Sequence, residues 1–172
     1  MMPGKQKHTA KSGKQRSLKE LEKIVQGLKR QGKRVVLANG CFDLIHVGHV
    51  RYLGAARQLG DCLIVGINSD GSARKLKGRG RPVVRASERA EIISGFECVD
   101  YCFIFDETTL DSCIRRLRPD VHAKGTDYTR ENVPERKTVL DVGGTVRIVG
   151  DKKSHATKDL VELILARFSG GR

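Results

Sequence analysis

The chain has 172 residues, 38% of them hydrophobic and 31% charged, which predicts one globular domain that buries a core. No apolar run approaches the ~20 residues that span a bilayer, and no hydrophobic segment follows the basic N-terminus, so the sequence predicts a cytoplasmic protein rather than a membrane or secreted one. A net charge of +13 predicts an anionic partner, which leaves nucleic acid, acidic lipid and small phosphorylated molecules as candidates.

The N-terminal residues 1–16 carry lysines and arginines but no acidic residue, in a stretch rich in Gly, Gln, Ser and Thr. This composition predicts a disordered basic tail, followed by a single domain over residues 17–172. Ser17 and Glu20 form a capping box, and apolar residues at helical spacing then predict a first helix that ends near Gly32.

Five short apolar segments predict β-strands, and the segments between them predict helices. The strands are expected over residues 35–39, 62–68, 101–105, 120–125 and 145–149. Helices are expected over residues 50–60, from Ser87, over 108–117, near 134–142 and over 157–168. Because the strands alternate with helices and are apolar throughout, the fold class is α/β, a Rossmann-like doubly wound parallel sheet of about five strands with helices on both faces.

In such sheets a ligand binds beyond the carboxyl ends of the strands, where the strand order reverses. The sequence at the end of the first predicted strand is NGCFDLIHVGH, in which His46 and His49 lie three residues apart around Gly48. A helix that begins near Gly48 would direct free backbone N–H groups and the positive end of its dipole into the cleft. Together with two imidazole donors, this arrangement predicts a polyphosphate site.

Two alternative roles of the histidine pair stay open. The pair could bind a metal ion, but no Cys, Asp or Glu stands at a convincing spacing for a third ligand, so no metal site is predicted. The two side chains could also be ordinary loop histidines that hydrogen-bond to carbonyl groups.

A second basic cluster lies between residues 74 and 89, where lysines and arginines are opposed only by Glu88. The cluster follows the second predicted strand and is interpreted as a loop, in which Gly78 and Gly80 would let residues 74–81 close over phosphates. The alternative is a solvated surface loop that binds no ligand.

Spaced motifs between residues 34 and 168 resemble those of the HxGH nucleotidyltransferases, the cytidylyltransferase-like family of α/β enzymes. The motifs are NGCFDLIHVGHVRYL (39–53), INSD (67–70), LKGRGRPV (76–83), VDY (99–101) and KGTDY (124–128), together with Arg89. The LKG..RPV and KG.DY patterns are most similar to members that transfer AMP from ATP to D-glycero-β-D-manno-heptose 1-phosphate. The resemblance therefore implies release of pyrophosphate and formation of ADP-heptose, with cytidylyl transfer to glycerol 3-phosphate or another polyol phosphate as the alternative.

The resemblance also implies roles for individual residues. The implied catalytic residues are His46, His49 and Lys77. The implied nucleotide-binding residues, besides the two histidines, are Gly40, Cys41, Phe42, Gly48, Lys124, Gly125, Asp127, Ser154 and Thr157. The implied contacts with the substrate phosphate are Asp43, Lys77, Arg81 and Arg89. Mg²⁺ held mainly by the nucleoside triphosphate is the expected cofactor, and a homodimer is the expected assembly.

A different class of function is a basic nucleic-acid-binding protein or a nucleotide sensor without catalysis. The chain has only three Tyr, five Phe and no Trp, and no RNP-like or helix-turn-helix pattern is present, so no nucleic-acid partner is expected. The intact histidine pair favours an enzyme over a sensor.

Overall fold

The computed structural model of the chain describes residues 13–151 and 157–168. Its elements in chain order are α1 (Leu18–Arg30), β1 (Val35–Gly40), α2 (Val47–Arg57), β2 (Cys62–Asn68), α3 (Asp70–Lys77), α4 (Ala86–Ser94), β3 (Tyr101–Phe105), α5 (Asp111–Leu117), β4 (Val121–Lys124), α6 (Arg136–Asp141), β5 (Thr145–Ile148) and α7 (Thr157–Phe168). In these two ranges no helix is both long and apolar enough to cross a membrane.

The five strands form one parallel sheet in the order β3-β2-β1-β4-β5, which confirms the predicted Rossmann-like α/β class. From β1 the chain moves outward through β2 to β3, then crosses to β4 on the other side of β1. The strand order therefore reverses between β1 and β4. In open sheets of this kind, the carboxyl ends of the two strands at the reversal border the ligand-binding cleft.

Successive residues of each strand face two apolar cores, one on either side of the sheet. Leu37 of β1 belongs to the core that α1, α5 and α6 cover, whereas Ala38 belongs to the core that α2 and α4 cover. Both residues are fully buried. The end of β1, from which the histidine motif departs, is thus held between two packed layers.

Helix α3 corrects the interpretation of residues 74–77 as part of a basic loop. The helix begins after Ser69, whose hydroxyl accepts a backbone N–H of the first turn at 3.3 Å, and Asp70 in that turn complements the positive end of the dipole. The basic residues fall in the last turn, where positive charge is favourable, and the helix ends at Gly78 with φ of +88°. Lys77 is therefore the last residue of a helix, and the predicted loop is shorter.

Residues 14–16 pair with the outer edge of the sheet, although the sequence predicted a disordered tail for this part of the chain. The N–H of Arg16 donates to the Cys102 carbonyl, and the N–H of Cys102 donates to the Lys14 carbonyl, each at 3.0 Å. These bonds satisfy backbone groups that the edge strand β3 would otherwise leave unpaired. Residues 14–16 are therefore part of the folded structure, whereas residues 1–12 lie outside the described residues.

Candidate active site

The turn that leaves the end of β1 is shaped by one aromatic ring. Phe42 is buried and has φ of +49°, a left-handed conformation that residues with a side chain rarely adopt. Its ring lies over Gly40, where an added Cβ would stand 3.1 Å from two ring carbons. Gly40 and Phe42, both predicted to bind nucleotide, therefore set the path of the chain that leads to the histidine pair.

His46 and His49 stand at the start of α2, where their rings stack on one another. His46 precedes the helix in an extended conformation, and His49 is its third residue. The two ring centroids are 3.9 Å apart, with planes inclined by 28°, and the Phe42 ring lies 5.3 Å from that of His49. The structure thus places both imidazoles, with Gly48 between them, at the amino terminus of a helix, as the spacing predicted.

A backbone hydrogen bond fixes which nitrogen of His49 carries its proton. The N–H of His46 donates to His49 Nδ1 at 3.3 Å, so Nδ1 is unprotonated and the neutral ring carries its proton on Nε2. Burial, the neighbouring His46 and the charge of Lys77 together lower the pKa of His49 to about 4. At neutral pH His49 is therefore an uncharged hydrogen-bond donor through Nε2.

Asp43 binds the chain's own basic segment. Its buried carboxylate accepts from the Arg81 guanidinium at 2.6 Å and from the N–H groups of Val83 and Val84 at 2.7 and 2.9 Å. A carboxylate with these partners has little capacity left for another ligand. Asp43 therefore anchors residues 81–84 to the histidine turn, a position different from the predicted contact with substrate phosphate.

Arg89 is turned inward and ties three segments together. It has no exposed surface, and its guanidinium donates to the Cys41 carbonyl, to the Val84 carbonyl at 2.9 Å and to the Asp70 carboxylate at 2.8 Å. These acceptors belong to the histidine turn, the basic segment and the start of α3. The predicted phosphate contact does not match this position, because every branch of the guanidinium already donates to the protein.

Four basic residues at the end of α3 and in the turn that follows it face solvent: Arg74, Lys75, Lys77 and Arg79. In the described part of the chain none of the four forms an ion pair with an acidic side chain. Lys77 stands close to the histidine turn, since its charge affects the pKa of both His49 and Cys41. An incoming polyphosphate would meet these cations first; the assignment of Lys77 to a phosphate stays a prediction.

The other wall of the cleft is the end of β4, where Lys124 is buried. Its ammonium lies 3.0 Å from Asn39 Oδ1, 3.3 Å from the Glu135 carboxylate and 4.8 Å from the centre of the Tyr128 ring. Burial lowers the pKa of Lys124, and the charge of Glu135 opposes that shift. The Lys124 ammonium therefore already has two polar partners within the protein, the Asn39 amide oxygen and the Glu135 carboxylate.

The remaining predicted contacts come from the turn after β4 and from the start of α7. Gly125 and Asp127 lie in a turn that a backbone bond to the Gly125 carbonyl closes at 3.1 Å. Thr157, the first residue of α7, lies against the histidine turn, since its hydroxyl is 3.4 Å from the Leu44 carbonyl oxygen. Ser154 lies outside the described residues.

Three residues that shape the site were not identified from the sequence: Asn39, Asp70 and Glu135. Asn39 directly follows an apolar residue of β1, and Asp70 lies two residues beyond the end of β2, so polar residues at strand ends were a signal that could have found them. Glu135 is 2% exposed and pairs with Lys124 from the start of a different element. No periodicity or motif marks it.

A doubly wound sheet whose first strand leads into an HxGH helix start is the architecture of a nucleotidyltransferase. Comparison with known families agrees, because residues 37–164 match the family described as cytidylyltransferase-like. The chain belongs to this family.

Curated relatives are similar to the chain over nearly its whole length. Bifunctional protein HldE of Geobacter sulfurreducens is 45% identical over 161 residues, which are 94% of this chain and 33% of the relative. Bifunctional protein HldE of Pelobacter propionicus is 43% identical over 162 residues, with the same coverage. The chain therefore spans about one third of the length of these relatives.

A solved structure is similar as well. The crystal structure of a lipopolysaccharide core biosynthesis protein from Thermoplasma volcanium matches with a TM-score of 0.59 and 30% identity, over 69% of this chain and 95% of that chain.

Proposed function

We propose that the chain transfers AMP from ATP to D-glycero-β-D-manno-heptose 1-phosphate, releasing pyrophosphate and forming ADP-heptose. The observation that carries the proposal is the stacked histidine pair at the start of α2, with His49 held as a neutral Nε2–H donor. The similarity to the two HldE proteins and to the lipopolysaccharide core biosynthesis protein supports the choice of nucleotide and sugar.

In this reaction an oxygen of the sugar phosphate attacks the α-phosphorus of ATP. The bond between that phosphorus and the oxygen bridging to the β-phosphate breaks, and pyrophosphate leaves with the electron pair. Both reactants are anions, so catalysis depends on placement and on stabilising negative charge more than on proton transfer. His49 suits this task because its Nε2–H can donate to an α-phosphate oxygen without changing its own charge.

The first turn of α2 and the exposed cations would share the remaining charge. Backbone N–H groups at a helix start have no partner within the helix and favour an anion. Lys77 and the neighbouring cations that face solvent are free of acidic partners in the described ranges, so they can approach the β- and γ-phosphates. These positive charges would thus stabilise the negative charge that develops on the leaving pyrophosphate.

We expect a Mg²⁺ ion to arrive with the triphosphate, held mainly by phosphate oxygens. Residues 13–151 and 157–168 contain no group of three His, Cys, Asp or Glu side chains suited to hold a metal ion. The motif carboxylate, Asp43, is already bound to Arg81 and two N–H groups. Mg²⁺ commonly keeps phosphate oxygens and water as ligands, and when bound it would neutralise charge on the phosphates.

The decisive experiment measures kcat/KM by pyrophosphate release for ATP and CTP, each with heptose 1-phosphate and with glycerol 3-phosphate. The pair of ATP and heptose 1-phosphate should be fastest, by about tenfold or more over CTP, because a base pocket leaves buried polar groups unpaired against the wrong base. Faster turnover of CTP with glycerol 3-phosphate would favour the cytidylyltransferase alternative, to which the family description points. No turnover with any pair would favour a sensor.

Alanine variants of the histidines test the role given to the pair. His46→Ala and His49→Ala should each lower kcat by roughly 10², the scale for losing one preorganised donor to a transition state. The free energy of unfolding and the affinity for ATP should change far less. Full turnover in both variants would contradict the assignment.

The expected homodimer is part of the same proposal. Light scattering on the purified protein should give twice the chain mass of 19.0 kDa. A mass equal to one chain would remove the dimer from the proposal and leave the chemistry unaffected.

A further inference from the structure

We infer that Glu135 is a positioning residue for the nucleotide: through Lys124 it holds the side-chain amide of Asn39 in one orientation, with the amide NH₂ kept as a donor at the cleft. The inference rests on the proposed nucleotidyl transfer and adds to it a residue outside every motif. The ligand it concerns is the nucleoside triphosphate, not the sugar phosphate.

Asn39 and Lys124 meet because they end neighbouring strands on the same side of the sheet. Ala38 and Ala123 are register partners of β1 and β4, so the residues that follow them lie side by side. Strand alternation puts both side chains on the face opposite α2. Glu135 reaches the same place from the start of α6, which covers that face.

The contact with Lys124 decides how the Asn39 amide is oriented. An ammonium can only donate, so the amide atom 3.0 Å from Lys124 Nζ is the carbonyl oxygen. The NH₂ then lies on the opposite branch of the planar amide. Among the described residues no acceptor lies within hydrogen-bonding distance of this NH₂, and Asn39 is only half-buried, so a ligand can reach it.

Glu135 is what keeps a charged Lys124 in this buried place. The Lys124 side chain is 6% exposed, and an ammonium so buried is costly without a charged partner. Burial alone would raise the pKa of the Glu135 carboxyl, but the pKa lies below its usual value, and the charge of Lys124 is a cause that lowers it. Its other oxygen accepts the Leu110 N–H at 3.2 Å, which fixes the carboxylate in position.

His122 does not replace Lys124 as the cation that balances Glu135. Its Nδ1 is 3.2 Å from the Leu37 carbonyl oxygen, to which it must donate. Burial lowers the pKa of His122, so the neutral ring has its single proton on Nδ1. Its Nε2, 3.6 Å from the Glu135 carboxylate, is then not a donor. The charge opposite Glu135 is therefore that of Lys124.

The test compares Glu135→Gln with wild type by calorimetric binding of MgATP and MgCTP without a sugar phosphate. Glu135→Gln keeps the shape of the side chain and an acceptor for Leu110, but removes the charge that holds Lys124. We expect the dissociation constant of the preferred nucleotide to rise by about tenfold, the scale of one lost or misplaced hydrogen bond. The affinity for the sugar phosphate should stay unchanged.

Asp120→Asn is the matched control. Asp120 also pairs with a lysine, Lys29 at 3.4 Å, and also accepts a backbone N–H, that of Val35 at 2.8 Å. It lies at the opposite, amino-terminal edge of the sheet. This control should lose stability without changing nucleotide affinity, so an equal loss of affinity in both variants would overturn the inference.

Asn39→Ala supplies the second arm. It should weaken nucleotide binding about as much as Glu135→Gln, and the double variant should bind no more weakly than Asn39→Ala, because the two residues act in series. Additive losses, or an unchanged affinity in either folded variant, would overturn the inference. If Glu135→Gln does not fold, Glu135→Asp, which keeps the charge but shortens its reach to Lys124, takes its place in both comparisons. A wild-type protein that binds neither nucleotide would instead overturn the proposed function.

Discussion

The basic segment between residues 74 and 89 contains two kinds of positive charge. Arg81 and Arg89 are turned inward, with side chains 18% and 0% exposed, and each is paired with an aspartate. The cations at the end of α3 and in the turn that follows it are exposed, and in the described ranges they have no acidic partner: Arg74, Lys75, Lys77 and Arg79.

The difference shows that net charge alone does not locate a ligand. A buried cation requires a partner within the protein, so Arg81 and Arg89 use their charges to hold the segment against the histidine turn. An exposed cation beside a cleft does not need a partner within the protein and can attract an anion. Arg81 and Arg89 therefore stabilise the structure of the site, and we expect the exposed cations at the end of α3 and in the turn after it to contact phosphate.

The largest expected effect is a difference in the free energy of unfolding between variants of a buried and of an exposed cation of this segment. Arg89→Met should lower the free energy of unfolding by about 3 kcal/mol, because it leaves Asp70 without its cation and the carbonyls of Cys41 and Val84 without their donor. Arg74→Met, an exposed residue of the same segment, should change it by less than about 0.5 kcal/mol. Urea titrations of both variants measure the contrast, and equal losses would show that the comparison is mistaken.

The next effect concerns substrate binding by an exposed cation of the segment. Lys77→Ala should raise the KM for a phosphorylated reactant by about tenfold and weaken its dependence on salt, while the unfolding midpoint stays unchanged. Lys19→Ala, an exposed lysine on α1, serves as the control and should change neither quantity. Steady-state kinetics at two ionic strengths decide the matter; a normal KM in Lys77→Ala would remove it from the site.

The sequence predicted most of the fold, because its signals are local. The residues of β2, β3 and α7 match their predicted ranges, since continuous apolar runs or a clear helical pattern define them. Helix α3 was missed although Ser69 and Gly78 gave start and stop signals, because the run of charge between them was interpreted as a loop.

The site was predictable only in part, for a physical reason. The histidine pair is a motif within a few residues, and its spacing alone indicated a helix start. The partners of Arg89 and Lys124 are set by the packing of distant segments: Asp70 lies 19 residues from Arg89, and Asn39 lies 85 residues from Lys124. A single sequence contains no pattern that pairs them, so the inward direction of Arg89 could not be predicted.

A smaller effect tests whether Lys77 reaches the histidines. Its positive charge disfavours protonation of His49, so Lys77→Ala should raise the pKa of His49 above its value of about 4, as NMR titration of the imidazole would show. An unchanged pKa would place Lys77 away from the pair.

The low pKa of His49 also has a consequence for stability. Between its ordinary pKa of 6.5 and about 4 the unfolded chain binds a proton that the folded chain does not, so the free energy of unfolding should fall as the pH falls through this window. In the Lys77→Ala variant this pH range should become narrower, because the lower limit, the pKa of His49 in the folded chain, rises. Urea titrations at several pH values measure it.

The smallest expected effect concerns the cations of the N-terminal segment, residues 1–16. Residues 14–16 make backbone bonds to Cys102, whereas residues 1–12 are basic and have few apolar side chains that could anchor them. Removing residues 1–12 should leave KM, kcat and the free energy of unfolding unchanged. Removing residues 1–16 should lower the free energy of unfolding by about 1 kcal/mol, since two edge hydrogen bonds are lost, again without a change in KM. If the shorter deletion raises the KM for ATP at low salt, the charges of residues 1–12 also contribute to binding the substrate, and the phosphate site is not confined to the end of α3.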